Sequence, residues 1–368
     1  MKLMQEKNKA TPQGNSRGLR SVLLARFSAL GDVAMTVPVI YSACRTYPDV
    51  RFVLVTRPSM TSIFLNAPSN LTVVGVDLRT RYDGIAGIRR LVGELVDEYH
   101  PDIFIDLHNV LRTKLMAAFL RLRGIPTERI FKPRAKRRAL TRRNNKVMLP
   151  LVSQRARYRE AFFKAGLAVT DSFSGLFGGR AKANTAEFSA ITAPETAGER
   201  WVGIAPFAAH DGKVYPPEMM DEVVAMLDRE SRQTPLRVFL FGGGAHEAEI
   251  LGAWADKYTS VTSLAGKKYG FPAELALLNH LDVLLSMDSA NMHLGAIAQA
   301  ATVSIWGATH PYCGFKGWRQ TDADTIQLPM SCRPCSVFGD KPCYRGDKLC
   351  LRAIKPQMIF EKIKEHLQ

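Results

Sequence analysis

A short apolar run, SVLLAR (21–26), leads through Ser28-Ala29-Leu30-Gly31-Asp32 into a helical pattern. Gly31 lets the chain turn tightly there, and Asp32 falls where the helix begins. A carboxylate in that position has two uses. It can cap the helix by accepting from free backbone N–H groups, or it can stand at the open end of a strand as a general base that takes a hydroxyl proton. Spacing alone does not choose between them. In DIFIDLHNVLRTK (102–114), Asp106, His108 and Arg112 follow another apolar run. Arg112 has the forked donors that grip an anionic acceptor group; otherwise it lies on a solvated helix face while Asp106 caps the helix.

The second half places cations and hydroxyls similarly. Lys213, in IAPFAAHDGKVYPPEMMDEV (204–223), sits in a loop after an apolar run, with Pro216 and Pro217 opening the next helix. It either meets a diphosphate as a point charge or lies free at the surface. In FLFGGGAHEAEIL (239–251), Gly242, Gly243 and Gly244 permit close backbone approach. Glu247 then either accepts from ribose hydroxyls or complements the helix dipole. The pattern is not GxGxxG, which argues against a nicotinamide cofactor. The most informative stretch is LDVLLSMDSANMHLGAIAQAATVSIWGATHP (281–311), with Asp288 and Ser289 between strand and helix and His293 in that helix's first turns. The start of such a helix offers unpaired N–H groups and positive potential to a phosphate, leaving Asp288 for a sugar hydroxyl. Taken alone, His293 reads equally well as a core histidine bonded to the backbone.

Two features stand apart. IFKPRAKRRALTRRNNK (130–146) contains Lys132, Arg134, Lys136, Arg137, Arg138, Arg142, Arg143 and Lys146. Such a run is either a solvated face or a contact for anionic headgroups, and Pro133 disfavours a regular helix within it. It lacks aromatic interleaving or a nucleic-acid signature, so no nucleic-acid partner is expected. Cys332, Cys335, Cys343 and Cys350 are spaced C-x2-C-x7-C-x6-C. Four thiols this close admit a structural zinc, although the usual paired CxxC is missing.

These residues need elements to position them, and the chain supplies two sets. SVLLAR, RFVLVT (51–56), LTVVGV (71–76) and DIFIDL (102–107) alternate with helical patterns at 34–47, 59–66, 85–98 and 112–123. WVGIAP (201–206), LRVFLF (236–241), LDVLLS (281–286) and ATVSIW (301–306) alternate with patterns near 217–230, 246–257, 273–279 and 291–299. Short buried strands between helices predict two doubly wound parallel sheets, with ligands beyond the strand ends where strand order reverses. The expected organisation is a disordered tail at 1–18, one domain at 19–180, a polar linker at 181–200 and a second domain at 201–352. A final helix at 353–368 is expected to pack back on the first domain.

Composition bounds the rest. The 368 residues are 46% hydrophobic and 23% charged, which excludes a largely disordered chain. No apolar run approaches the roughly 18–20 residues of a membrane span. The first 18 residues lack the apolar block of a secretion signal, so a cytoplasmic chain is expected. Residues 1–180 hold 31 Lys and Arg against 13 Asp and Glu, while 181–368 hold 19 against 21. All the excess positive charge therefore belongs to the first half, which implies a polyanionic partner met by one domain only.

Taken together, SALGDVAMTVPV, DIFIDLHNVLRT, PFAAHDGKVYPPE, FGGGAHE and SMDSANMHLGAIAQAATVSIWGATHP resemble glycosyltransferase family 9, the heptosyltransferases of lipopolysaccharide core assembly. The resemblance implies a GT-B fold, two Rossmann-like domains facing a central cleft, with acceptor on the first and nucleotide sugar on the second. It implies Asp32 as catalytic base and Lys213 on the donor diphosphate. Asp288, Ser289 and His293 become contacts to donor sugar and phosphate, and Glu247 a nucleoside contact. The acceptor side would use Arg112, Arg137 and Arg138. The reaction implied is inverting transfer, of heptose from ADP-heptose in that family, to a phosphorylated glycolipid on the inner face of the cytoplasmic membrane. No cofactor is required for that chemistry. Ala290 stands where a glycine is usual, and Ala208 and Ala209 where hydroxyl-bearing residues are. A nucleotide-sugar epimerase on the same architecture, and a non-catalytic polyanion-binding module, are the competing readings.

Overall fold

The computed structural model describes residues 18–179 and 181–368; the tail expected at 1–18 lies outside the described residues except for Gly18. The first sheet comprises β1 (Ser21–Ala25), β2 (Arg51–Thr56), β3 (Leu71–Gly75), β4 (Ile103–Asp106) and β5 (Thr127–Arg129). Its order is β3-β2-β1-β4-β5, with every pairing parallel. The second comprises β6 (Arg200–Ala205), β7 (Leu236–Leu240), β8 (Val261–Ser263), β9 (Val283–Met287), β10 (Ala301–Ile305) and β11 (Thr325–Ile326), in the order β11-β10-β9-β6-β7-β8, again parallel. The central strands are continuous apolar runs because both faces are covered.

Strand order reverses between β1 and β4 in one sheet and between β6 and β9 in the other. The chain leaves these strands at Ala25, paired with Asp106, and at Ala205, paired with Ser286. The loops carrying Asp32, Asp106, Lys213, Glu247, Asp288 and the basic run all start at a strand's C-terminal end; the cysteine segment does not.

Helices α1 (Leu30–Ala34), α2 (Val37–Thr46), α3 (Gly84–Tyr99), α4 (Leu111–Arg121), α5 (Arg134–Thr141) and α6 (Gln154–Lys164) belong to the first half. The second half contributes α7 (Pro217–Glu230), α8 (Ala245–Lys257), α9 (Phe271–His280), α10 (Ala290–Ala298), α11 (Leu349–Arg352) and α12 (Pro356–Lys364). One apolar cluster joins the halves, running from Leu24, Ile40 and Phe162 to Trp201, Leu278 and Met292. Burial of such side chains stabilises by roughly 1.5–3 kcal/mol each, so the seam between the sheets is an apolar core. Among the described residues, no helix is long and apolar enough to cross a membrane.

Several expectations change. The pattern at 34–47 becomes two helices, because Pro38 near the start of α2 has no N–H to continue the ladder from α1. The pattern at 59–66 is a 3₁₀ turn, Pro58–Ile63. The basic run does form a helix: Pro133 occupies the position before α5, where a missing N–H costs nothing. The C-terminal helix does not return to the first domain. Ile359, Phe360 and Ile363 of α12 pack with Met220, Val223 and Leu227 of α7, since that apolar face is the one left open. The 181–200 segment packs along the second half. Ala183 N donates to Asn279 Oδ1 at 2.7 Å, and Phe188 lies buried against Trp201 and His280.

Candidate active site

The two halves meet where α1 packs on α10. A glycine makes this approach possible: a methyl group on Gly31 would stand 2.8 Å from His293 Cδ2 and 3.3 Å from Ala290 Cα. The tight turn anticipated from the sequence is thus also a contact between domains. Tyr158 of α6 supports α1 from behind, its hydroxyl donating to Asp32 O at 3.1 Å.

Beside this contact lies a cavity of about 470 Å³. Its walls bring together Asp32 from the first half and Lys213, Glu247, Asp288, Ser289 and His293 from the second. Asp32 Oδ2 pairs with Arg26 Nη2 at 2.7 Å, so a guanidinium at the end of β1 fixes the carboxylate. On the other wall Lys213 Nζ stands 2.9 Å from Asp288 Oδ2. The methylene stem of Lys213 lies against Gly339, whose φ of +77° suits glycine. Ser289 is the residue before α10, its Oγ 3.3 Å from Ser286 Oγ, so no side chain caps the helix start that faces the cavity. Glu247 accepts from Gly243 N at 2.7 Å and so braces its own glycine loop while lining the cavity.

His293 is buried, and burial together with Arg155 and Lys213 holds its pKa down to about 3. The imidazole is therefore neutral at physiological pH. In the unfolded chain the ring titrates near its ordinary 6.5, so between these values the unfolded state binds more protons. This contribution is full above pH 6.5 and is lost as pH falls towards 3. The stability of wild type relative to His293→Gln should accordingly decline as pH is lowered from 7 to 4, as measured by urea unfolding at each pH; a pH-independent difference would remove His293 from this role.

The remaining candidates lie elsewhere. Asp106 does not cap α4, whose N-cap is Val110; it braces the loop after β4, accepting from His108 N at 2.8 Å and Asn109 N at 2.7 Å, while burial pushes its carboxyl up. Arg112 and Arg138 are exposed and line neither this cavity nor the smaller one below it. Arg137 is half-buried in that smaller cavity, its guanidinium over the rings of Phe315 and Phe338. The sequence reasoning missed Arg26, although its place directly after β1 was a usable signal. It also missed Phe315 and Phe338, which close the cavity from loops without a repeating pattern.

Cys332, Cys335, Cys343 and Cys350 line one separate cavity of about 330 Å³. Among the described residues, no group of three or more His, Cys, Asp or Glu is arranged to hold a metal ion, so the four thiols do not form the zinc set that their spacing admits. The Cys335 thiol instead donates to Cys332 O at 3.3 Å.

Two doubly wound parallel sheets facing a cleft at their switch points make this a protein of the GT-B class. The chain belongs to glycosyltransferase family 9 (heptosyltransferase), whose pattern matches residues 89–341. Over 87 residues it is 30% identical to lipooligosaccharide heptosyltransferase 2 of Campylobacter jejuni subsp. jejuni, a stretch covering 24% of this chain and 26% of that protein. The match thus spans about a quarter of that relative's length. In three dimensions the chain is similar to a glycosyl transferase family 9 structure from Veillonella parvula, with TM-score 0.71 and 18% identity over 95% of this chain and 97% of that one. It is also similar to ADP-heptose lps heptosyltransferase II of E. coli, with TM-score 0.66 and 16% identity over 95% and 98% of the two chains.

Proposed function

We propose that this chain is an inverting glycosyltransferase that moves heptose from ADP-heptose to a hydroxyl of a lipopolysaccharide-type glycolipid. One observation carries the reading: a carboxylate from one domain and a lysine with a helix start from the other line a single cavity. Asp32 takes the proton as the acceptor oxygen bonds to the anomeric carbon. The bond from that carbon to the diphosphate oxygen breaks with it, and the nucleoside diphosphate leaves with the electron pair. The negative charge growing on the diphosphate is met by Lys213 and by the uncapped N–H groups of α10. Asp288, Ser289 and His293 shape the donor-sugar end of the cavity, and Glu247 stands beside the nucleoside. Arg137 belongs to the acceptor side; Arg112 and Arg138, being exposed, fit a more distant part of the glycolipid or the membrane surface.

Charge on the leaving group is handled by protein cations in this scheme, so transfer should persist in EDTA. The basic first half suits an anionic inner membrane face. The test is product analysis by mass spectrometry with ADP-heptose and a heptose-deficient glycolipid. A glycolipid one heptose heavier, with release of ADP, is expected. Conversion of the donor with no acceptor present would indicate an epimerase instead, and the absence of any donor affinity would indicate a binding module.

A further inference from the structure

Helix α6 presents arginines to two different spaces. Arg155 and Arg159, four residues apart, lie about 40° from each other around the helix, and Arg157 points about the opposite way. Arg157 lines the small cavity beside Asp32. Arg155 and Arg159 line a separate cavity of about 440 Å³ between the two halves, which contains neither Asp32 nor Lys213. Across it the second half supplies Trp318 and Arg319, and α2 supplies Ser42. Three guanidinium groups thus border one space, and the only carboxylate among its lining residues is Asp171.

The donors around this space are largely unused. Arg155 is half-buried, and burial pushes its guanidinium down. Its Nη1 donates to Lys316 O at 3.1 Å, and its other donors have no partner among the described residues. Arg159 and Asp171 are exposed and stand 3.9 Å apart, beyond hydrogen-bond reach. Arg319 has no carboxylate partner among the described residues; its guanidinium lies over the Trp318 ring, 4.4 Å from the centroid. Its backbone holds a φ of +60°, a conformation few residues other than glycine adopt. Ser42 is 1% exposed. Its Oγ accepts from Ser172 N and Phe173 N, both at 3.1 Å, and its own hydrogen has no acceptor among the described residues.

On a freely solvated face, three like charges would splay apart in water. Here α2, α6 and the second half hold them around one gap, where an anion relieves their repulsion. Three cations against one carboxylate leave a net charge of +2 on the lining side chains. A neutral ligand leaves that charge standing, and a single carboxylate halves it. A phosphate-type dianion balances it, and its several oxygens accept from guanidinium forks and from a serine hydroxyl.

We propose that this cavity is an accessory anion site, apart from the transfer cleft, that seats a phosphate or diphosphate between Arg155 and Arg159 of the first half and Arg319 of the second. The bound anion ties α6 to the corner at 318–319 and so braces the two halves against each other. It also competes with Asp171 for Arg159.

Trp318 makes the site observable in the full chain without donor or acceptor. Inorganic diphosphate should change the tryptophan emission saturably, because it draws Arg319 away from the ring, and Trp318→Phe should abolish that change. Inorganic phosphate should act in the same way, and acetate, with one charge, at least about tenfold more weakly. Arg159→Met, at an exposed position, should weaken the Kd read from this signal by about tenfold, the loss expected for charge-assisted hydrogen bonds. Asp171→Asn should tighten it by about twofold to fivefold, the worth of one exposed competing charge. A purely structural Arg159–Asp171 pair predicts no such gain. Lys213→Met should leave the response in place. A response that survives Trp318→Phe, ignores Arg159 or disappears in Lys213→Met puts the anion elsewhere and overturns the site, as does an Asp171→Asn variant that binds no tighter. Failure of the transfer reading is distinguishable, since the Arg159-dependent response would remain in a chain that moves no sugar.

Discussion

Asp32→Asn is expected to lower kcat by about two to four orders of magnitude, the range over which a positioned general base contributes, while leaving ADP binding close to wild type. The reasoning is geometric. Asp32 stands on α1, between the wall that carries Lys213 and Asp288 and the cavity below it, and is held by Arg26 at 2.7 Å and by the α6 support at Tyr158. Asparagine keeps the size and removes the proton acceptor. It also leaves Arg26 without its anionic partner, which makes the lower cavity more positive, so acceptor binding should not weaken. The signature is therefore a fall in kcat and kcat/KM together, the pattern of a lost transition-state interaction. Calorimetry with ADP and steady-state transfer rates at saturating acceptor check both halves. Turnover within about tenfold of wild type would remove Asp32 from the base role.

The parts of this site that could be read from the sequence are those carried by strand ends. Asp32, Lys213 and Asp288 each follow a short apolar run and precede a helix, and a doubly wound sheet sends such positions to its switch point. Arg157 was not read, yet its signal is present. Gln154, Arg157, Tyr158, Ala161 and Phe162 are the buried residues of α6, spaced three and four apart, so the arginine lies within the apolar stripe. The neighbouring Arg155 and Arg159 hide that stripe by making the segment look uniformly solvated. Arg112 and Arg138 show the opposite difficulty: charge marks the basic region, but it does not say which member of a helix turns inward. Of the run 130–146, Lys132 and Arg137 face the lower cavity, and Lys146 crosses to the second half, donating to Cys332 O at 2.7 Å. The short edge strands β5, β8 and β11 carry two or three residues each, too few to show a period. The packing partner of α12 is not legible in the sequence, because its apolar face fits any open apolar face; in the fold that face is the one on α7.

Lys213→Met should both destabilise the protein and slow transfer, and a second substitution should separate the two effects. The side chains of Lys213 and Asp288 are 15% and 4% exposed, and their charged ends lie 2.9 Å apart. Taking one partner from such a pair strands the other charge, which costs about 3–5 kcal/mol. Methionine keeps the stem that lies against Gly339, so the cost arises from Asp288 and not from a cavity. Asp288→Asn in the same chain should then restore most of the stability, because a neutral amide needs no counter-charge, giving a strongly non-additive cycle in urea unfolding. It should not restore the rate. Losing one preorganised cation on the leaving diphosphate costs about a hundredfold to a thousandfold in kcat, and the amide cannot replace it. Recovery of both stability and turnover in the double variant would show that the lysine serves only to neutralise Asp288. Additive losses would show that the pair is not coupled at all. The opposed outcome, a stable and inactive double variant, assigns the lysine two partners in turn: Asp288 in the empty cleft and the diphosphate when the donor is bound.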